Sequence, residues 1–115
     1  MKNVEVTQSD FSFANFSNST IYNLTSIGTV FKNSNFDYSQ ISNSNFQGNH
    51  FMSSDFSNAK IINSNLFGAD FTLSKMFFTN IESTNIKNTN FKSIILENSE
   101  FIDVEMDCIN HVICE

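Results

Sequence analysis

The sequence predicts an all-β fold, a four-sided β-helix of about five coils. Three observations predict it: an apolar residue at every fifth position, a small residue two places before each, and a recurrence of particular residues every twenty places. The first series runs from Val6 through Phe11, Phe16 and Ile21 to Phe101 and Met106, and only Ser26 breaks it. The second runs from Val4 and Ser9 through Ala14, Ser34, Ala59 and Thr79 to Val104, and is small almost throughout.

A period of five fits no α-helix, because five residues advance a helix by about 140° and scatter the apolar residues around it. A short strand followed by a corner fits. Residues two apart on a strand face the same way, so the small and the large residue both point inward and the one between them points out. The last two residues of each five turn the corner. The second of them is often Asn or Gly, at 18, 23, 28, 33, 43, 48, 58, 63, 68, 88 and 98. Both types accept the positive φ that a type II turn requires.

The longer period closes the figure. Phe11, Phe31, Phe51, Phe71 and Phe91 are twenty apart, as are Ile21, Ile41, Ile61 and Ile81, and Gly28, Gly48 and Gly68. Four corners then complete one coil. Each column stacks like on like at the ~4.8 Å strand spacing, and only the two ends of the rod keep open edges.

The 115 residues make one domain over 1–115, with repeats at 4–106 and a tail at 107–115. The net charge is -6 and all six basic residues are scattered lysines. That argues against direct nucleic-acid binding, which needs cations on phosphates. No apolar leader and no membrane-length run is read, so a cytoplasmic protein is expected. Cys108 and Cys114 are accordingly read as reduced thiols, with a small closed loop as the alternative. Chance explains the Asn-x-Ser/Thr triplets at Asn15, Asn18 and Asn23 in so Asn- and Ser-rich a chain.

The motif itself, in Ala14-Asn15-Phe16, Ser34-Asn35-Phe36, Ser44-Asn45-Phe46, Ser54-Asp55-Phe56, Ser64-Asn65-Leu66, Ala69-Asp70-Phe71 and Thr89-Asn90-Phe91, closely resembles that of the pentapeptide-repeat family. The resemblance covers nearly the whole chain. It implies a right-handed quadrilateral β-helix, whereas the spacing alone gives four sides and no hand.

Two departures from the pattern matter. At Leu24 and Ser26 the large and small inward residues are exchanged, which keeps the core volume constant. At Ile94/Leu96 and Val104/Met106 both are large, so the last coil should be wider or distorted. Beyond Met106 the register fails, with His111 where an apolar residue belongs.

The open end over the core must be covered. The stretch 108–114 spaces its apolar residues like a short helix, so a capping turn or helix is one reading. A homodimer interface formed by Ile95, Cys108, Ile109, Val112 and Ile113 is the other, and both can hold. Several family members dimerise through their C-terminal ends. Outward apolar residues are read at Tyr38, Met52, Ile62, Phe67, Leu73, Phe77 and Phe78, and Leu73, Phe77 and Phe78 form a candidate patch for a protein partner. Glu97, Glu100, Asp103, Glu105 and Asp107 make the C-terminal end acidic.

Nothing suggests catalysis or a cofactor. His50 and His111 lack a metal-ligand spacing, and Cys108, His111 and Cys114 offer three ligands with no fourth. The glycines fall at corners and form no phosphate loop, and no nucleophile sits with a base. The expected function is therefore a non-enzymatic interaction or scaffold protein. The resemblance implies an alternative, since the family includes quinolone-resistance proteins that mimic DNA and bind DNA gyrase. Against that alternative, about five coils at ~4.8 Å span only some seven base pairs. The acids are dispersed, and the loops that often interrupt the gyrase-protecting relatives are missing.

Overall fold

The computed structural model describes residues 3–114. Each strand pairs in parallel with the chain twenty residues on, as in Val6 with Ser26, Ile21 with Ile41 and Met76 with Leu96. Isolated bridges such as Asp10 with Val30 and Asn15 with Asn35 keep the same offset. Twenty residues thus complete one coil, and the coil has four sides.

The first side holds β1 (Glu5–Thr7) and β3 (Thr25–Ile27), continued by bridges through Asn45 and Asn65 to Asn85. The second is a row of bridges from Asp10 through His50 to Asn90. The third runs by bridges from Asn15 to Lys75, then through β6 (Lys75–Phe77) and β8 (Ile95–Glu97). The fourth is a five-stranded sheet of β2 (Thr20–Tyr22), β4 (Gln40–Ser42), β5 (Lys60–Ile62), β7 (Asn80–Glu82) and β9 (Glu100–Ile102). The rod measures 34 × 25 × 23 Å.

The inward columns fill the core. Phe31 stacks on Phe51 and Phe51 on Phe71 at centroid distances of 5.2 and 4.9 Å, and Phe36 stacks on Phe56 at 4.6 Å. Neighbouring columns meet edge to face, as Phe51 does Phe56 at 5.3 Å, an arrangement the ring quadrupole favours. The small column is rich in Ser and Thr for a reason of its own. The hydroxyls of Ser54, Ser74, Thr79 and Thr89 donate to the carbonyls of Phe31, Phe51, Phe56 and Leu66, at 2.7–2.8 Å. Each of those carbonyls also accepts the turn N–H three residues on, so the hydroxyl from the next coil takes its second lone pair.

Every corner ends in the left-handed region. φ is positive at each fifth residue from Asn3 to Asp103, including all the Asn and Gly positions expected from the sequence. The corners come in two kinds. Where the outward residue is Asn or Asp, its carboxamide or carboxylate oxygen commonly accepts the N–H two residues on, as Asn35 does from Asp37 and Asp70 from Thr72. A tight turn follows, closed by bonds such as Ser39 N–H to the Phe36 carbonyl at 3.0 Å. Where the outward residue is Gln or Lys, as in β4, β5 and β6, the chain stays extended; β7 does so as well with Asn80 outward, the Oδ1 of which has no hydrogen-bond partner.

The exchanged pair fits as expected. Leu24 and Ser26 are both buried. The space beside Ser26 is taken by Asn49, whose Nδ2 donates to Ser26 Oγ at 3.0 Å and whose Oδ1 accepts the Thr29 N–H at 3.0 Å.

The last coil departs from the pattern at one place. β8 holds its register beside Ile94 and Leu96. Past Asp103 the ladder lapses, and a cavity of about 410 Å³ opens between Ser83–Ile86 and the chain at Asp103, Glu105 and Asp107. With Val104 and Met106 both pointing inward, the coil cannot close on the one below. Pairing resumes one residue early, Asn90 with Ile109 rather than with Asn110. That slip brings Cys108 into the small inward column, where it is buried. A 3-10 turn at Val112–Cys114 then folds back over the core. The reading of Cys108 and Cys114 as reduced thiols is corrected here: they form a disulfide, with Cα atoms 5.0 Å apart. The turn supplies what the sequence spacing could not, since it returns Cys114 to the buried Cys108.

Candidate interaction surface

A large side chain in the left-handed region is strained, because its Cβ crowds the following carbonyl. The corners between the fourth and first sides avoid this with Asn3, Asn23, Asn43, Asn63, Ser83 and Asp103. Those between the first and second use Gln8, Gly28, Gly48, Gly68 and Asn88. The two corner columns that bound the third side avoid it at Asn33, Ser53 and Ser93 and at Asn18, Asn58 and Asn98, but not at the other four corners. They carry Phe13 and Leu73 along one edge, and Tyr38 and Phe78 along the other. These four are 78%, 58%, 58% and 62% exposed, so no packing gain within the rod offsets the strain.

The sequence-read patch lies on this side. Leu73 and Phe78 stand out at its two edges, with Lys75 and Phe77 of β6 between them. Phe77 is half-buried, because the first corner residue tucks against the coil and the second projects from it. Ile95, read with the tail residues as a candidate dimer contact, lies on this side in the last coil, where it pairs with Lys75 and is exposed. Phe13 carried the same signal as Leu73, sixty residues on in the same column, but is masked in the sequence by the core pair Phe11 and Phe16 around it.

The other candidates are dispersed. Glu97 lies on the third side beside Phe77 and Glu100 on the fourth beside Asn80. Asp103, Glu105 and Asp107 line the cavity. At the C-terminal end Cys108 is buried and Ile113 packs against the core, while Ile109 and Val112 are exposed. His111 Nδ1 accepts the Ile113 N–H within the turn, and the disulfide occupies both sulfurs beside it. Among the described residues no group of three or more His, Cys, Asp or Glu is placed to hold a metal. No helix among the described residues is long and apolar enough to cross a membrane.

Comparison with known proteins agrees with this geometry. The family model for pentapeptide repeats matches residues 9–48 and 54–92, in eight copies. No curated protein matches by sequence. Among solved structures the chain is similar to a pentapeptide repeat protein from the thylakoid lumen of Arabidopsis thaliana, at 20% identity and TM-score 0.44 over 76% of this chain and 68% of that one. It is also similar to HetL, involved in heterocyst differentiation regulation in Nostoc sp. strain PCC 7120, at 10% identity and TM-score 0.46 over 89% and 57%. A trypsin-treated variant of QnrB1, a plasmid-mediated fluoroquinolone resistance protein, matches at 15% identity and TM-score 0.47 over 90% and 67%. The coil of twenty residues, the repeated motif and the family match together identify the chain as a member of the pentapeptide repeat family.

Proposed function

We propose that this chain is a non-enzymatic interaction protein that engages a protein partner through its third side. The observation that carries the reading is the confinement of the bulky left-handed residues to the two corners framing that side. Each costs folding stability of about 1 kcal/mol or more relative to Asn or Gly. Such strain without internal packing points to a role outside the rod. The C-terminal end is a weaker candidate for self-association, because the disulfide-closed turn already sits on it.

The alternative, a DNA mimic that binds DNA gyrase, rests on the family resemblance and on acidity. The acids fall on all four sides, for example Glu5, Asp70, Asp55 and Glu100, and form no continuous stripe. No inhibition of gyrase supercoiling and no quinolone protection is the expected outcome of that assay. For the main reading, the tagged protein is recovered from its own cells alongside a variant carrying Tyr38→Asn, Leu73→Asn and Phe78→Asn. Quantitative mass spectrometry should show a partner, or untagged copies of the chain, lost specifically from the variant. Identical recoveries would contradict the reading.

A further inference from the structure

We propose that the occupant of the third side is a second copy of this chain, packed side by side and antiparallel about a two-fold axis crossing the third coil. This rests on the reading above that the third side is a contact surface.

The column map carries the proposal. Along this side the outward residues are Asn15, Asn35, Asp55, Lys75 and Ile95, one per coil. A two-fold axis across the third coil keeps each column in place and exchanges the second coil with the fourth. Tyr38 of one copy then meets Phe78 of the other, and the pair forms twice, as an isologous interface requires. The same operation sets Lys75 beside Asp37 of the second copy and one coil, about 4.8 Å, from its Asp55. The two Asp55 carboxylates approach each other at the axis, each with a Lys75 of the other copy adjacent. Around the axis Lys75 therefore faces Asp37 and Asp55 of the other copy, while the third acid of this face, Glu97, lies two coils out, opposite Ser17.

The area is modest. Five rungs at ~4.8 Å make the third side about 24 Å long on a rod 23–25 Å across, so it offers at most roughly 600 Å² per copy, at the low end of the standard range for stable interfaces. Tyr38 and Phe78 now have a packing partner, which they lack within one rod, whereas Leu73 and Phe13 fall opposite Asn33 and Ser93.

Sedimentation velocity on the purified chain over a concentration series tests this. The wild type should be dimeric at tens of micromolar. Phe78→Asn and Tyr38→Asn should each weaken the dimer at least tenfold without lowering the urea midpoint, since Asn already occupies 18, 58 and 98 in that column. Lys75→Asp should dissociate the dimer, and adding Asp37→Lys should restore it. A wild type that is monomeric at about 200 µM would overturn the proposal. So would a dimer indifferent to Phe78→Asn and Lys75→Asp, as one joined through the C-terminal ends would be. A monomer whose cellular partner is still lost with the corner substitutions would remove the second copy and leave the contact surface standing.

Discussion

Asn49 shows how much can rest on one residue. Its buried carboxamide has two partners, Ser26 Oγ and the Thr29 N–H. Ser26→Ala should therefore cost about 1–3 kcal/mol in urea unfolding, although it removes only one oxygen, because it leaves Nδ2 without that acceptor. Ser39 presents the opposite case: its buried Oγ has no hydrogen-bond partner. Ser39→Ala should be neutral or stabilising by up to about 1 kcal/mol, as Ala already serves the same inward role at 14, 59 and 69. Phe78→Asn should raise the monomer's stability by about 1 kcal/mol by relieving left-handed strain. At this scale the inward columns and the Asn and Gly corners were legible from period alone. The exchange of Leu24 and Ser26 was legible too. Asn49's role was not, because in a series of small residues it reads as one more, and its partner lies in a different column.

The elements divide by what the outward residue does. An Asn or Asp at that place commonly caps its own corner and breaks the strand, whereas β4 and β5, with Gln40 and Lys60 there, stay extended; Asn80 is an exception, since β7 is extended and its Oδ1 has no hydrogen-bond partner. The sequence holds that information, but spacing does not reveal it, since both kinds of corner use five residues. The closing element was the least legible. Two large inward residues at 104 and 106 announced a distorted coil, yet the one-residue slip and the return of the chain at Val112–Cys114 depend on where the ladder resumes. The disulfide ties this turn to the core. Its reduction, or Cys114→Ser, should cost about 2 kcal/mol for a loop this short. The loss should be local. Hydrogen exchange should accelerate at the amides of Phe91 and Ile109, which hold the tail to the body, and leave those of Phe31 and Phe51 protected.

For the whole molecule, the twenty-residue offset makes three sides of the rod chemically ordinary and one unusual. Asn, Gly, Ser, Asp and Gln turn the corners away from the third side, while of the ten corners that frame it Phe13, Tyr38, Leu73 and Phe78 turn four and Asn or Ser the other six. Part of that side was visible in the sequence as Leu73, Phe77 and Phe78. Ile95 and Phe13 joined it only when each residue had a column and a coil. The most direct measurement places a photoreactive phenylalanine, one position at a time, at 73 and 78 and at the control corners 83 and 88, and compares crosslinked adducts in the protein's own cells. Adducts at 73 and 78, with few at 83 and 88, are what a contact surface on the third side predicts. Equal yields at all four corners, or adducts only at the controls, would contradict it.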